Sequence, residues 1–261
     1  MSTKIAGNVT YQPFLINGTD DATGTPGFQP VAGACSGAFT EYYVNDGSTT
    51  DDQYTGAIGD DTNPGTAALP FATITKALNV AQAGNTIWVD AGIYASNVTV
   101  NKEVTIKGAG YTTKLTSVTT NGNIITVAAN NVTIRDLHLE GTLIENSSAT
   151  RGIYFNSAVS GIAVTNVKSS LHQYAMYADN NADVNGLTVT NSEFLASGNG
   201  FQVETSAKVA NLTITGGSIS NNLYGFSSTA NGAATNNQTG LTGVSVTRHN
   251  LHRQYFKGLI F

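Results

Sequence analysis

Apolar and polar positions alternate with a period of two in one short phrase that recurs along the second half of the chain. It reads Val132-Thr-Ile-Arg-Asp-Leu-His-Leu, then Ile162-Ala-Val-Thr-Asn-Val-Lys-Ser, Leu187-Thr-Val-Thr-Asn-Ser-Glu-Phe, Leu212-Thr-Ile-Thr-Gly-Gly-Ser-Ile and Val244-Ser-Val-Thr-Arg-His-Asn-Leu. Successive copies start 30, 25, 25 and 32 residues apart. Self-similarity at such a period marks a solenoid, a propeller or an array, and the alternation makes its unit a strand. The first and third residues of each copy are aliphatic, while Thr133, Ala163, Thr188, Thr213 and Ser245 stand between them. One face of the strand is therefore apolar, and the other carries mostly small hydroxyl residues.

A second strand follows within each repeat, with Leu137/Leu139, Val167, Phe194, Ile219 and Leu251 as its inward residues. A third is read at Gly152-Ile-Tyr-Phe, Ala175-Met-Tyr-Ala, Gly200-Phe-Gln-Val, Gly225-Phe-Ser-Ser and Gly258-Leu-Ile-Phe. Three short strands per turn of about 25 residues predict an all-β parallel β-helix whose coils stack roughly 4.8 Å apart. On this reading Ile162, Leu187 and Leu212 are vertical neighbours. The β-helix spans residues 41–261. Pro70 to Gly84 predicts an N-terminal capping helix over 72–83, with Ile74, Ala77, Leu78 and Ala81 on one face and Gly84 as its stop. Residues 1–40, rich in Gly, Thr, Asp and Pro, read as a linker or strap with one short strand at Asn8–Leu15. The end, Phe256-Lys-Gly-Leu-Ile-Phe261, aligns with an inner strand and leaves the last coil open. An open coil exposes strand edges that solenoids normally cover, which predicts continuation of the chain or end-to-end docking on another copy.

Composition narrows the functions. Only 11% of residues are charged and the formal net charge is −5, so no basic stripe exists to neutralise nucleic-acid phosphates. No apolar run is long enough to span a bilayer. Cys35 is the single cysteine, which excludes an internal disulfide. Met1-Ser-Thr-Lys lacks the apolar core of a signal peptide, so the chain is read either as cytosolic or as a mature or excised piece.

Asp46-Gly, Asn63-Pro-Gly-Thr, Pro70-Phe-Ala-Thr-Ile, Gly84-Asn-Thr-Ile-Trp-Val, Ala91-Gly-Ile-Tyr and Val104-Thr-Ile-Lys-Gly-Ala-Gly resemble the opening of right-handed parallel β-helix proteins of the pectate-lyase-like superfamily. Asn8-Val-Thr-Tyr-Gln-Pro-Phe-Leu resembles the closing segment of such domains in large bacterial secreted or surface proteins. The resemblance implies right-handed coils, an extracellular or cell-surface location and a preceding unit whose tail is residues 1–40. It does not imply an activity, because lyases, hydrolases, adhesins, tailspikes and stalks share the fold.

Three sets of residues carry candidate chemistry. His138, Lys168 and Glu193 occupy equivalent places in successive repeats, with Asp136 close by, and read as an outward charged column. In a polysaccharide lyase Lys168 would be the base that removes the proton beside a uronate carboxylate, with Asp136 and Glu193 directed towards a Ca²⁺ ion that neutralises it. A solvated ladder of ion pairs gives the same pattern. Tyr154, Tyr174, Tyr177, Tyr224 and Tyr255 recur near one corner, where rings stack on sugars or pack at a wet edge. Thr188/Thr190 over Thr213/Thr215 form an outward Thr-x-Thr array, read as an ice-binding surface or as plain β-propensity. The loop Asp46–Asp61 lacks the spacing of a calcium-binding hand and reads as solvated, and His172, His249 and His252 read as surface residues. No resident cofactor or metal is required. The reading is a structural or adhesive module, with polysaccharide or further copies of itself as partners. A carbohydrate-active enzyme is the alternative and an ice-binding face the third reading.

Overall fold

A computed structural model describes residues 10–11, 14–15, 39–95, 97–119, 121–142, 150–228, 241–242, 245–247, 250–252 and 255–257. The chain divides into two units, Met1–Phe39 and Thr40–Phe261. In the first, Thr10–Tyr11 and Phe14–Leu15 pair antiparallel, so the single strand expected at 8–15 is a pair of two-residue strands. The rest of the expected linker lies outside the described residues.

The second unit is a β-solenoid. Parallel strands stack in register from Glu41–Val44 through Asn85–Val89, Val104–Gly108, Thr133–Glu140 and Ala158–Ser170 to Asp183–Thr190 and beyond. Ile87, Ile106, Ile134, Val164, Val189 and Ile214 form one continuous inward column, and none is more than 1% exposed. Ile162 pairs with Leu187, and Thr188 with Thr213 one place after Leu212, which puts Ile162, Leu187 and Leu212 in one vertical row. A second sheet stacks Val98, Ile125, Ile153, Met176 and Phe201 in the same way. Full burial of each such side chain stabilises the fold by about 1.5–3 kcal/mol, so the columns are the main source of cohesion.

The corners explain why the chain turns where it does. Asn131, Gly161, Gly186 and Asn211 have positive φ ahead of the recurring phrase, and Asp136, Asn166, Asn191 and Gly216 have it within the phrase. Glycine has no Cβ to clash there, and Asn and Asp tolerate the left-handed region through short polar side chains. The fifth residue of the phrase is thus a corner, and the Asn166 amide donates to the Asp136 carboxylate of the coil before it (2.8 Å). A third corner follows the second strand at Leu171, Ala196 and Asn221.

Three details differ from the expected pattern. Each later coil carries an additional short segment ahead of the phrase, where Val159, Val184 and Val209 stack inward. In the second strand Val167 aligns with Leu137, while the Leu139–Phe194 column is interrupted by the buried Ser169, whose hydroxyl donates to the Ala175 carbonyl (3.1 Å). The last third strand is Tyr255–Lys257, with Tyr255 beside Tyr224, three residues earlier than the expected Gly258 start. Residues 258–261, on which the open-coil expectation also rests, lie outside the described residues.

The capping helix is Ile74–Val80, shorter than 72–83. Thr73 caps it by accepting from the Lys76 amide, and Asp61 holds Thr73 in place by accepting from its amide and hydroxyl. Ile74, Ala77 and Leu78 are buried, and the helix packs on Glu41–Val44, Asn85–Val89 and Val98–Val100. Gly84 is not its stop. Ala81 leaves the helix with φ −58° and ψ 149°, and the Lys102 ammonium donates to the carbonyls of Leu78, Asn79 and Ala81 at 2.9, 3.0 and 2.8 Å.

Candidate functional site

The outward side of the second sheet gathers the tyrosines. Thr126, Tyr154, Tyr177 and Gln202 form one column of successive coils, and Asn123, Arg151, Tyr174, Asn199, Tyr224 and Tyr255 form the column beside it. Parallel pairing in register brings the rings of Tyr154, Tyr174 and Tyr177 together, since residues equivalent in sequence fall one above another. Tyr154 and Tyr177 stack at 5.8 Å with planes 14° apart, and Tyr174 lies 4.5 Å from Tyr177 at 40°. Arg151 sits among them, its guanidinium 5.3, 5.8 and 4.7 Å from the rings of Tyr154, Tyr174 and Tyr177. A cation over several ring faces is attracted by each, which fixes the rings and the arginine together.

The tyrosine hydroxyls point to carboxylates of the following coil. Tyr154 donates to Asp179 in a short hydrogen bond, and Tyr177 donates to Glu204 at 2.9 Å. Burial, reinforced by the bond to Asp179, pushes the Tyr154 phenol up to about 12, and burial with the bond to Glu204 raises Tyr177 as well. Both stay protonated donors at any physiological pH. Further along, Gln202 and Ser227 are buried and bonded to each other, so the open part of the face lies over the coils of Arg151–Phe155 and Tyr174–Ala178. Arg151, Asp179 and Glu204 were not among the residues expected from sequence. The available signal was phase: Asp179 and Glu204 each stand one place past a third strand, 25 residues apart.

The charged column is in the expected register, with Lys114, His138, Lys168, Glu193 and Ser218 in successive coils. Its chemistry differs from the expected one. His138 keeps the outward register but is covered, at 6% exposure, and its Nε2 meets the Ser170 hydroxyl at 2.8 Å. Burial, with help from the Lys168 charge, lowers its pKa to about 4. His172, expected at the surface, is fully buried, with Nε2 3.1 Å from the Leu139 carbonyl. His138 lies against Ser170 of the following coil, and His172 follows the corner at Leu171. Asp136 is a corner residue, bonded to Arg135 (2.7 Å) and Asn166. Among the described residues the ion pairs are Lys114–Glu140, Arg135–Asp136 and Lys208–Asp183, so Lys168 and Glu193, although adjacent in register, form no ladder.

Thr188 and Thr190 pair with Thr213 and Thr215 as the alternation requires, but Ala163, Lys107 and Arg135 interrupt the two columns. The acidic loop is docked rather than solvated. Asp90, fully buried, accepts from the amides of Gln53, Tyr54 and Thr55 at 2.6, 2.9 and 2.7 Å, and Tyr54 packs edge-on against Trp88. Among the described residues no group of three or more His, Cys, Asp or Glu side chains gathers as metal ligands. No helix among them is long and apolar enough to cross a membrane.

The stack of coils and its decorated flanks define a parallel β-helix domain. Residues 57–255 match the family described as "Protein of unknown function (DUF1565)", and the chain belongs to that family. No curated protein and no solved structure matches it.

Proposed function

We propose that this chain is a structural or adhesive β-helix module of an extracellular or cell-surface protein, and that the tyrosine face holds polysaccharide. One observation carries the reading: Tyr154, Tyr174 and Tyr177, from adjacent coils of one sheet, converge on Arg151. Each ring offers an apolar body and a polar tip, which is the surface a sugar, apolar in its ring and polar at its rim, requires. The opening motifs that resemble the pectate-lyase-like superfamily support the location and the module character. Affinity electrophoresis against a panel of soluble polysaccharides tests the reading. Retardation by at least one polymer, weakened about tenfold in Tyr177→Ala and Tyr154→Ala, is the expected result. Retardation that both variants keep in full removes this face from the function.

A second reading has Lys168 as the base of a polysaccharide lyase. It is favoured by the position of Lys168 between His138 and Glu193 and by its absence from the ion pairs among the described residues. It predicts ultraviolet absorbance from unsaturated products on uronate polymers with added Ca²⁺, lost in Lys168→Ala. No absorbance from the wild-type protein eliminates it.

A further inference from the structure

The row of second strands begins at Gly92–Ala95, which among the described strands pairs only with Thr113–Thr116. The Gly92 amide donates to the Thr112 carbonyl at 3.0 Å, so Gly92 and Tyr94 turn their N–H and C=O groups towards that neighbour. Ile93 and Ala95 turn theirs the other way, where no described strand pairs with them. The Ile93 amide is met there by the Asp46 carboxylate at 3.1 Å, which leaves the Ile93 carbonyl and the Ala95 amide facing out of the sheet. Outward backbone groups of this kind are a template for another strand. The capping helix does not cover them. Its main packing is against Glu41–Val44, Asn85–Val89 and Val98–Val100, at the starts of the other two rows. A groove of about 560 Å³ remains, lined by residues 93–95 and Val118 together with residues 72–75 at the start of the helix.

We propose that this groove takes an extended peptide segment of a partner protein, added to the edge as one more strand and carrying a lysine or arginine among aliphatic residues. The inference is independent of the tyrosine face. Backbone groups at strand spacing call for another backbone, and side chains at the rim then set the preference. Ile93 is 64% and Val118 57% exposed, so aliphatic side chains of the guest gain burial against them. Asp46 is the one charged residue of the described lining. The charges felt by the buried Tyr94 phenol beside it, those of Asp46, Asp90 and Asp52, are all negative. A cationic side chain is drawn into that field and an anionic one is repelled. A second copy of the chain is the poorer guest, because stacking a whole coil needs the starts of all three rows and the helix holds two of them.

Selection of displayed random octapeptides on the full chain, followed by fluorescence polarisation with the enriched peptides, tests this. Ala95→Pro removes the outward N–H and spares the ladder to Thr113–Thr116, since proline is tolerated on the open side of an edge strand. Asp46→Asn removes the charge and keeps an acceptor for the Ile93 amide. The expected result is enrichment of alternating aliphatic sequences that contain Lys or Arg, bound about tenfold more weakly by the Ala95→Pro variant. Replacing that cation in the peptide by Glu weakens binding about tenfold, and in Asp46→Asn the two peptides bind within about twofold of each other. Enriched peptides bound in full by an Ala95→Pro variant with wild-type circular dichroism overturn strand addition. If that variant does not fold, peptides N-methylated at alternate amides make the same test from the guest's side, and undiminished binding of both registers overturns it. No enrichment overturns the site, and equal binding of the Lys and Glu peptides overturns the charge preference. Self-association in sedimentation velocity that Ala95→Pro abolishes makes the guest a second copy and overturns the partner assigned.

Discussion

At the scale of single residues the solenoid makes unequal demands at its corners. Most corner positions hold Gly, Asn or Asp, but Leu171 has φ 61° and Ala196 φ 47°. An L-residue with an ordinary side chain in that region costs roughly 1–2 kcal/mol. Leu171 is 37% exposed and gains little from burial. Leu171→Asn, matching Asn221 in the same corner column, is therefore expected to stabilise the domain by about 1 kcal/mol. A thermal melt of the variant checks this, and a lower midpoint contradicts it. The corner asparagines were legible as turn formers, whereas Leu171 and Ala196 carry no sequence signal, because stacking imposes their conformation against local preference. The burial of the two histidines was illegible as well: nothing in one copy of the phrase says what the next coil lays over it. They bring a pH dependence. Both have folded-state pKa values near 4, held down by burial, against 6.5 for the free side chain, and Lys168, Lys114 and Glu140 are the charges around them. Between pH 6.5 and 4 the unfolded chain binds more protons, so stability falls as pH drops through that window and levels off below it. His172 contributes on the order of 2 kcal/mol, with less from His138, which is less deeply buried. Unfolding midpoints measured from pH 7 to 4 show this slope, and His172→Gln flattens it. An equal slope in the variant assigns the effect elsewhere.

At the scale of elements, the capping helix shows how far periodicity reaches. The spacing of Ile74, Ala77, Leu78 and Ala81 correctly marks an amphipathic helix, and all four are buried. Its ends are set by groups outside the periodic run, Asp61 at the start and Lys102 at the finish. Each lies at least a dozen residues away from the end it caps, so neither is visible in a local window, and Gly84 drew the boundary too far out. A single ammonium serving three carbonyls completes a helix of only seven residues, too short to hold its own ends. Lys102→Met, which keeps the stem, is expected to lower stability by about 1–3 kcal/mol, because hydrogen bonds from a charged donor are among the stronger ones. Chemical denaturation monitored by tryptophan fluorescence measures it, since Trp88 stands on a strand under the helix. The acidic loop follows the same logic. Its aspartates read as solvated, yet Asp90, from a strand end 35 or more residues away, gathers three loop amides and turns the segment into a docked flap.

At the scale of the whole molecule the repeat was the most legible feature, since one residue type above its like is written directly into the spacing of the five phrases. The candidate face was legible only in part. Five tyrosines in phase predicted a cluster, but the guanidinium that organises it and the carboxylates that accept from its hydroxyls come from positions that do not recur as a residue type. The physical consequence of the repeat is that each coil gains stability almost solely from the coil above and the coil below. Ile134 illustrates this: it packs between Ile106 and Val164 and is wholly buried. Ile134→Ala removes about 2–5 kcal/mol, the cost of lost burial plus the cavity left behind. In a globular core that loss is shared by the entire domain. In a one-dimensional stack it weakens two interfaces and fades with distance. Hydrogen exchange read by mass spectrometry is expected to accelerate most in Val104–Gly108, Thr133–Glu140 and Ala158–Ser170. Asn85–Val89, clamped by the capping helix, and Thr213–Thr215, two coils beyond Ala158–Ser170, should change little. Acceleration of equal size in all five strands contradicts the nearest-neighbour account. It would also mean that a ligand held on the tyrosine face is sensed at both ends of the rod, whereas the graded outcome confines such an effect to the coils that carry Arg151, Tyr154, Tyr174 and Tyr177.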